Sequence, residues 1–159
     1  MKLAGIDPGL SGAICVFDVT AGTLTLLDMP VVEVASGKSI KRKLSEPMLA
    51  ELLRVHSIGH CALEQVAAMP GQGVTSMFSF GQSYGAIRGV LAGLRVPMTT
   101  VTPRSWMRDL GLTAGKDGAR QRAAEIFPAY AASFVRKKDD GRADAALLAY
   151  WLLQFGDVV

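Results

Sequence analysis

Short apolar runs separated by turn residues open the chain, at Lys2–Ile6, 13–17 and 23–29. Asp7-Pro8-Gly9 closes the first and Thr20-Ala21-Gly22 the second, which is how strands bounded by tight loops read. Links this short suit an antiparallel three-strand meander, because parallel neighbours need a longer crossover. The stretch 34–43 is polar and basic and ends in Lys41-Arg42-Lys43. Ser45 then reads as a helix N-cap, with Pro47 in the first turn and Met48, Leu49, Leu52 and Leu53 at helical spacing.

Residues 61–66 form a buried strand with Glu64-Gln65 near its end, followed by a Gly-rich loop at 67–73. A long helix is expected over 75–94, with Gly81, Gly85, Gly89 and Gly93 four apart along it. Each glycine costs about 0.5–1 kcal/mol relative to alanine in a helix, so the stripe points to close packing against another backbone. A strand at 98–101, a helix capped by Thr102 with Pro103 in its first turn, a helix at 117–127 and a last helix at 142–155 complete the pattern. This order predicts one α/β domain over 1–159, a mixed five-stranded sheet with helices on both faces.

Composition narrows the class only slightly. Half of the 159 residues are apolar, and Lys+Arg exceed Asp+Glu 17 to 14, a balance too common to identify a nucleic-acid binder. Cys15 and Cys61 sit in apolar strands and read as buried free thiols. With no signal-like segment and no apolar run of membrane-spanning length, a cytoplasmic protein is expected, in a bacterial or phage-infected bacterial cell.

The candidate chemistry lies in carboxylates. Asp7 ends a strand, inside Gly5-Ile6-Asp7-Pro8-Gly9-Leu10-Ser11-Gly12, where a turn-initiating Asp is the plain alternative. Glu64 lies in an apolar strand, where a carboxylate is costly unless ion-paired or metal-bound. Asp144 opens an otherwise apolar helix, a place that the helix dipole alone favours. Asp140, four residues earlier, either shares its face or lies in the entering loop, with Asp139 as a competitor. The run from Arg136 to Asp140 also reads as a plain solvated loop. Brought together, such carboxylates repel unless a hard divalent ion binds them, and two such ions assist phosphodiester hydrolysis. His56 and His60 lack zinc-type partners.

Three segments in this order, Gly5–Gly12, Leu63-Glu64-Gln65-Val66 and Asp140-Gly141-Arg142-Ala143-Asp144-Ala145, resemble the acidic motifs of RuvC-like Holliday junction resolvases, with phage and prophage members nearest in flavour. The resemblance covers nearly the whole chain. It implies an RNase H-like fold, a homodimer and paired symmetric nicking of four-way or other branched DNA. The implied ligands are Asp7, Glu64, Asp140 and Asp144, holding two Mg²⁺ ions for which Mn²⁺ substitutes. Three positions depart from the pattern. Ala67 stands where an aromatic wedge is common, leaving Met69 or Phe78 to take that part. Gly141 stands where a ligand three residues before Asp144 is usual. Met107 follows Trp106 where a lysine is frequent, leaving Arg104 or Arg108 to replace it.

Three basic clusters are candidate phosphate contacts: Lys38 with Lys41, Arg42 and Lys43; Arg104 with Arg108; and Lys116 with Arg120 and Arg122. Lys116 matches a basic position of the resemblance and is expected to touch the phosphate or the transition state. Such contacts give affinity and salt sensitivity rather than base specificity. The Asp7-Pro8-Gly9 loop also resembles the phosphate loop of actin-like sugar kinases, but these 159 residues leave no room for their second lobe. A non-catalytic branched-DNA-binding module and a related nuclease acting on RNA stay open at this point.

Overall fold

The computed structural model describes residues 1–112 and 118–157. Three strands, β1 (Lys2–Ile6), β2 (Ala13–Asp18) and β3 (Thr23–Asp28), form the expected antiparallel meander. A separate hairpin follows, β4 (Val31–Ser36) paired with β5 (Ser39–Leu44). Helix α1 (Glu46–His56) leads to β6 (His60–Glu64), which joins β1 in parallel. Helix α2 (Val74–Gly93) leads to β7 (Met98–Val101), parallel to β6. Then come α3 (Pro103–Asp109), α4 (Gly118–Ile126), two 3-10 segments at Pro128–Phe134 and Lys137–Asp139, and α5 (Asp140–Phe155). The sheet order β3-β2-β1-β6-β7 makes it mixed and five-stranded, as the hydrophobic pattern predicts.

Alternation along the central strands builds two cores. On one face Ala4, Ile6, Ile14, Val16 and Leu63 meet Leu49 and Leu53 of α1 and Ile87 and Leu91 of α2. On the other, Leu3, Cys15, Phe17 and Ala62 meet Trp106 of α3 and the apolar face of α5. Both thiols are buried and free, and burial pushes them well above the ordinary thiol range. Gly5 lets α5 lie directly on β1, because a side-chain carbon there would collide with the Ala145 carbonyl and come 2.5 Å from the Ala149 nitrogen.

Four local differences from the sequence reading have physical causes. The hairpin β4–β5 was not visible in the pattern because almost every residue in it is exposed, so no buried face imposes a period. Its turn does carry a signal, Gly37 with φ of 60°. Strand β6 stops at Glu64 rather than Val66. Helix α5 begins at Asp140 rather than Arg142, which brings Asp140 into its first turn. The preceding run is no solvated loop: Asp139 is 1% exposed and is clasped by Arg136.

Candidate active site

Adjacent strand ends set the first two carboxylates side by side. Ile6 pairs with Leu63 in the parallel register of β1 and β6, so Asp7 and Glu64 follow that pair at the same sheet edge. Asp7 Oδ1 accepts the Gly9 N–H at 3.2 Å, and Asp7 N–H donates to the Ala13 carbonyl at 3.0 Å. Gly12 completes this loop, since a side-chain carbon there would collide with the Asp7 carbonyl. Gly141 of α5 sits against it, its own missing side-chain carbon falling 2.9 Å from Gly12 Cα. That contact explains why a ligand three residues before Asp144 has no room here. It also sets the start of α5 beside Asp7, with Asp140 and Asp144 one turn apart on one face.

The electrostatics record the convergence. Burial raises Asp7 above the usual carboxylate range, the Gly9 N–H partly offsetting it. Burial also raises Glu64, with the Asp7 charge adding to it and the Trp106 indole opposing it. Asp144 is pushed up to about 8, first by burial and then by the charges of Asp7, Glu64 and Asp140. No ion pair among the described residues reaches Asp7, Glu64 or Asp144. Nor are any three His, Cys, Asp or Glu side chains among the described residues already gathered into a metal-holding group. Among the described residues the cluster is thus a set of crowded carboxylates with no cation paired to Asp7, Glu64 or Asp144, open rather than closed as a cage. An all-oxygen donor set of this kind fits a hard divalent cation, which would remove the repulsion.

Trp106 is a site residue that sequence reasoning passed over. Fully buried on α3, it donates Nε1–H to Glu64 Oε1 at 2.9 Å. Helix α3 is held by Thr102, whose Oγ1 accepts the Ser105 N–H at 3.2 Å. The available signal was general: a buried indole N–H needs an acceptor, and few were on offer near the core.

The two soft members separate clearly. Asp140 is half exposed, with Oδ1 2.8 Å from Arg120 Nε. Asp139 receives the Arg136 guanidinium at 2.9 Å and the Arg136 backbone N–H at 2.8 Å, which hold it well below the usual carboxylate range. Its oxygens are therefore committed to a structural pair. His60 is buried with Nε2 2.9 Å from Thr99 Oγ1, a packing role.

The basic candidates are dispersed. Lys41, Arg42 and Lys43 are exposed on β5, and Arg42 Nη2 donates to the Leu10 carbonyl at 3.2 Å. Arg104 is exposed on α3, and Arg108 pairs with Asp109 at 2.8 Å. Arg120 faces inward, 14% exposed, with Nη1 on the Val135 carbonyl. Lys116 and the expected helix start at Asp117 lie outside the described residues. Met69 and Phe78 are exposed large side chains, whereas Met107 packs against the core.

An open-edged mixed sheet with carboxylates from β1, β6 and α5 defines a nuclease-type α/β domain. Residues 3–124 match the family described as crossover junction endodeoxyribonuclease RuvC, and the chain belongs to that family. Over 87 residues it is 36% identical to the chloroplastic Holliday junction resolvase MOC1 of Chlamydomonas reinhardtii. That match takes in 54% of this chain but 10% of the relative, so the chain spans about a tenth of that protein's length. The fold is similar to T. thermophilus RuvC in complex with a Holliday junction substrate, with a TM-score of 0.65, 17% identity and coverage of 98% and 97% of the two chains. It is also similar to the yeast mitochondrial Holliday junction resolvase Ydc2, with a TM-score of 0.56, 13% identity and coverage of 98% and 81%. At such identities the structural likenesses establish the RNase H-like fold. No helix among the described residues is long and apolar enough to cross a membrane.

Proposed function

We propose that the chain is a metal-dependent endonuclease that resolves four-way DNA junctions, acting as a homodimer that makes paired symmetric nicks. The observation that carries this reading is the convergence of Asp7, Glu64 and Asp144 with no cation paired to any of them among the described residues. These three and Asp140 are the residues to hold Mg²⁺, two ions per site, with Mn²⁺ able to substitute. When bound, the ions supply charge neutralisation, activation of a water and stabilisation of the leaving oxygen.

The chain's own groups do the positioning. The Gly9 N–H fixes one oxygen of Asp7, and the Trp106 indole fixes one oxygen of Glu64. Each carboxylate thereby keeps its other oxygen for the cluster. Asp144 rides on a helix locked to β1 through Gly5 and to the loop through Gly141. Asp140 is shared with Arg120, so its entry to the cluster competes with that ion pair. Lys116, Arg104, Arg108 and the basic residues of β5 are the phosphate contacts of this reading.

Helix α2 supports the dimer. Gly81, Gly85, Gly89 and Gly93 are exposed, and a side-chain carbon on any of them would meet nothing within 4 Å. Packing against the chain's own sheet is therefore not why they are glycines. A second copy approaching along this stripe would account for them, and two-fold pairing suits a pseudo-symmetric junction. The test is a panel of labelled four-way junction, duplex, flap and RNA–DNA hybrid incubated with Mg²⁺, Mn²⁺ or EDTA. Metal-dependent cutting of the junction above the others is expected. Preference for the hybrid would make this an RNA-directed nuclease, and no cutting at all would leave a binding module.

A further inference from the structure

A second charged recess lies at the same sheet edge, outside the carboxylate cluster, and takes in Arg42 of β5. It has a volume of about 360 Å³ and runs between Ser11 and Gly12 of the β1–β2 loop, Arg42 of the hairpin and the turn before α5. Two of its cations are already neutralised. Arg142 donates from Nε and Nη2 to both oxygens of Asp28, at 2.8 and 3.0 Å, and Arg136 clasps Asp139 at 2.9 Å. Arg42 and Lys138 remain, both exposed, so the lining carries four cations against two carboxylates. Arg42 uses one N–H on the Leu10 carbonyl, and a guanidinium has five.

Topology fixes where this recess stands. Strand β3 is antiparallel to β2, which is antiparallel to β1, so Asp28 ends β3 at the edge where Asp7 follows β1. Two strand spacings of about 4.8 Å place it roughly 10 Å away. One nucleic-acid strand advances about 3.4 Å along the helix axis per nucleotide, but successive phosphates lie about twice that apart, so the separation is about one or two nucleotides.

Resting on the nuclease reading, we propose that this recess holds a backbone phosphodiester of the strand being cut, gripped by Arg42 and Lys138 about one or two nucleotides from the scissile phosphate. The Arg42 bond to Leu10 ties the hairpin to the loop that carries Asp7. A phosphate held by Arg42 is thereby registered against the carboxylates, while the contact itself reads no base. The hairpin thus acts as a strap on the substrate strand.

The test measures junction binding in Ca²⁺ between about 50 and 200 mM salt, where counterion release makes the logarithmic slope report phosphate contacts. Lys138→Gln and Arg42→Gln are made singly and together, with Lys2→Gln at the opposite end of β1 as the control. Each single variant is expected to reduce the slope by about 1, and the control to leave it unchanged. Methylphosphonate linkages placed one at a time along the strand then locate the contact. In the wild type a neutral linkage about one or two nucleotides from the cut is expected to weaken binding, and in the double variant that same linkage has no further effect. Lys138→Gln leaves the Arg42 bond to Leu10 in place, so it reads the site even if the hairpin of the double variant comes loose. Wild-type slopes and an unchanged linkage profile in folded variants would overturn the phosphate site and leave the nuclease reading standing. Failure of the wild type to bind any junction would overturn both.

Discussion

The most consequential single contact is the 2.9 Å bond from Trp106 to Glu64. Bonds to charged groups contribute about 1.5–3 kcal/mol, so Trp106→Phe, which keeps the ring and loses the donor, is expected to slow cleavage about 10- to 100-fold. It should also shift the metal-activation curve to higher Mg²⁺, and an unchanged curve would contradict the positioning role. Asp144 supplies a pH prediction. Its folded-state pKa of about 8 lies above the ordinary 3.8, so its contribution favours the folded state at low pH and is lost as pH rises towards 8. In EDTA, Asp144→Asn should therefore be more stable than the wild type at alkaline pH, by on the order of 3 kcal/mol after allowing for local relaxation. Thermal melts between acid and alkaline pH check this, and equal melts at high pH would contradict it. Metal affinity of the wild type should rise with pH over the same range, because binding displaces the proton. Gly141→Asp, which would create the three-residue ligand spacing, should instead lower stability and activity, since its side-chain carbon falls 2.9 Å from Gly12 Cα and the Ser11 carbonyl.

Among the elements, α2 is the least economical for a lone chain. Four exposed glycines together forgo about 2–4 kcal/mol of helix stability relative to alanine. Open space around each makes a clean experiment possible. Gly85→Leu or Gly89→Leu should leave the fold intact and convert the proposed dimer to a monomer by light scattering; a dimer that survives both would place its interface elsewhere. The main elements were legible because both faces of the sheet are covered: Ile6, Ile14 and Leu63 interrupt no polar pattern, and Pro47 and Pro103 mark helix starts. The hairpin was not legible, since Ile40 and the basic residues around it face solvent on both sides. The start of α5 was hidden for a different reason. Asp139 and Asp140 look alike in sequence, and only tertiary pairing with Arg136 and Arg120 separates the buried structural acid from the helical one.

Across the whole molecule, charge is sorted rather than abundant. A net charge of +3 says little, yet three half-buried carboxylates meet at one sheet edge while exposed cations of the hairpin and the α5 entry flank them. Asp7, Glu64 and Asp144 stood out in the sequence because each breaks or ends an apolar run. Trp106, 42 residues from Glu64, did not, because its role depends on packing that no local spacing encodes. The central claim is that this edge cuts branched DNA with the help of divalent metal. Its most direct measurement is a four-way junction labelled on each strand in turn, incubated with Mg²⁺ and resolved at nucleotide level. The expected result is two symmetric nicks on opposed strands, abolished by EDTA and by Asp7→Asn, with junction binding retained by the variant. Cleavage that persists undiminished in EDTA or in Asp7→Asn, or an intact junction under every metal, would contradict it.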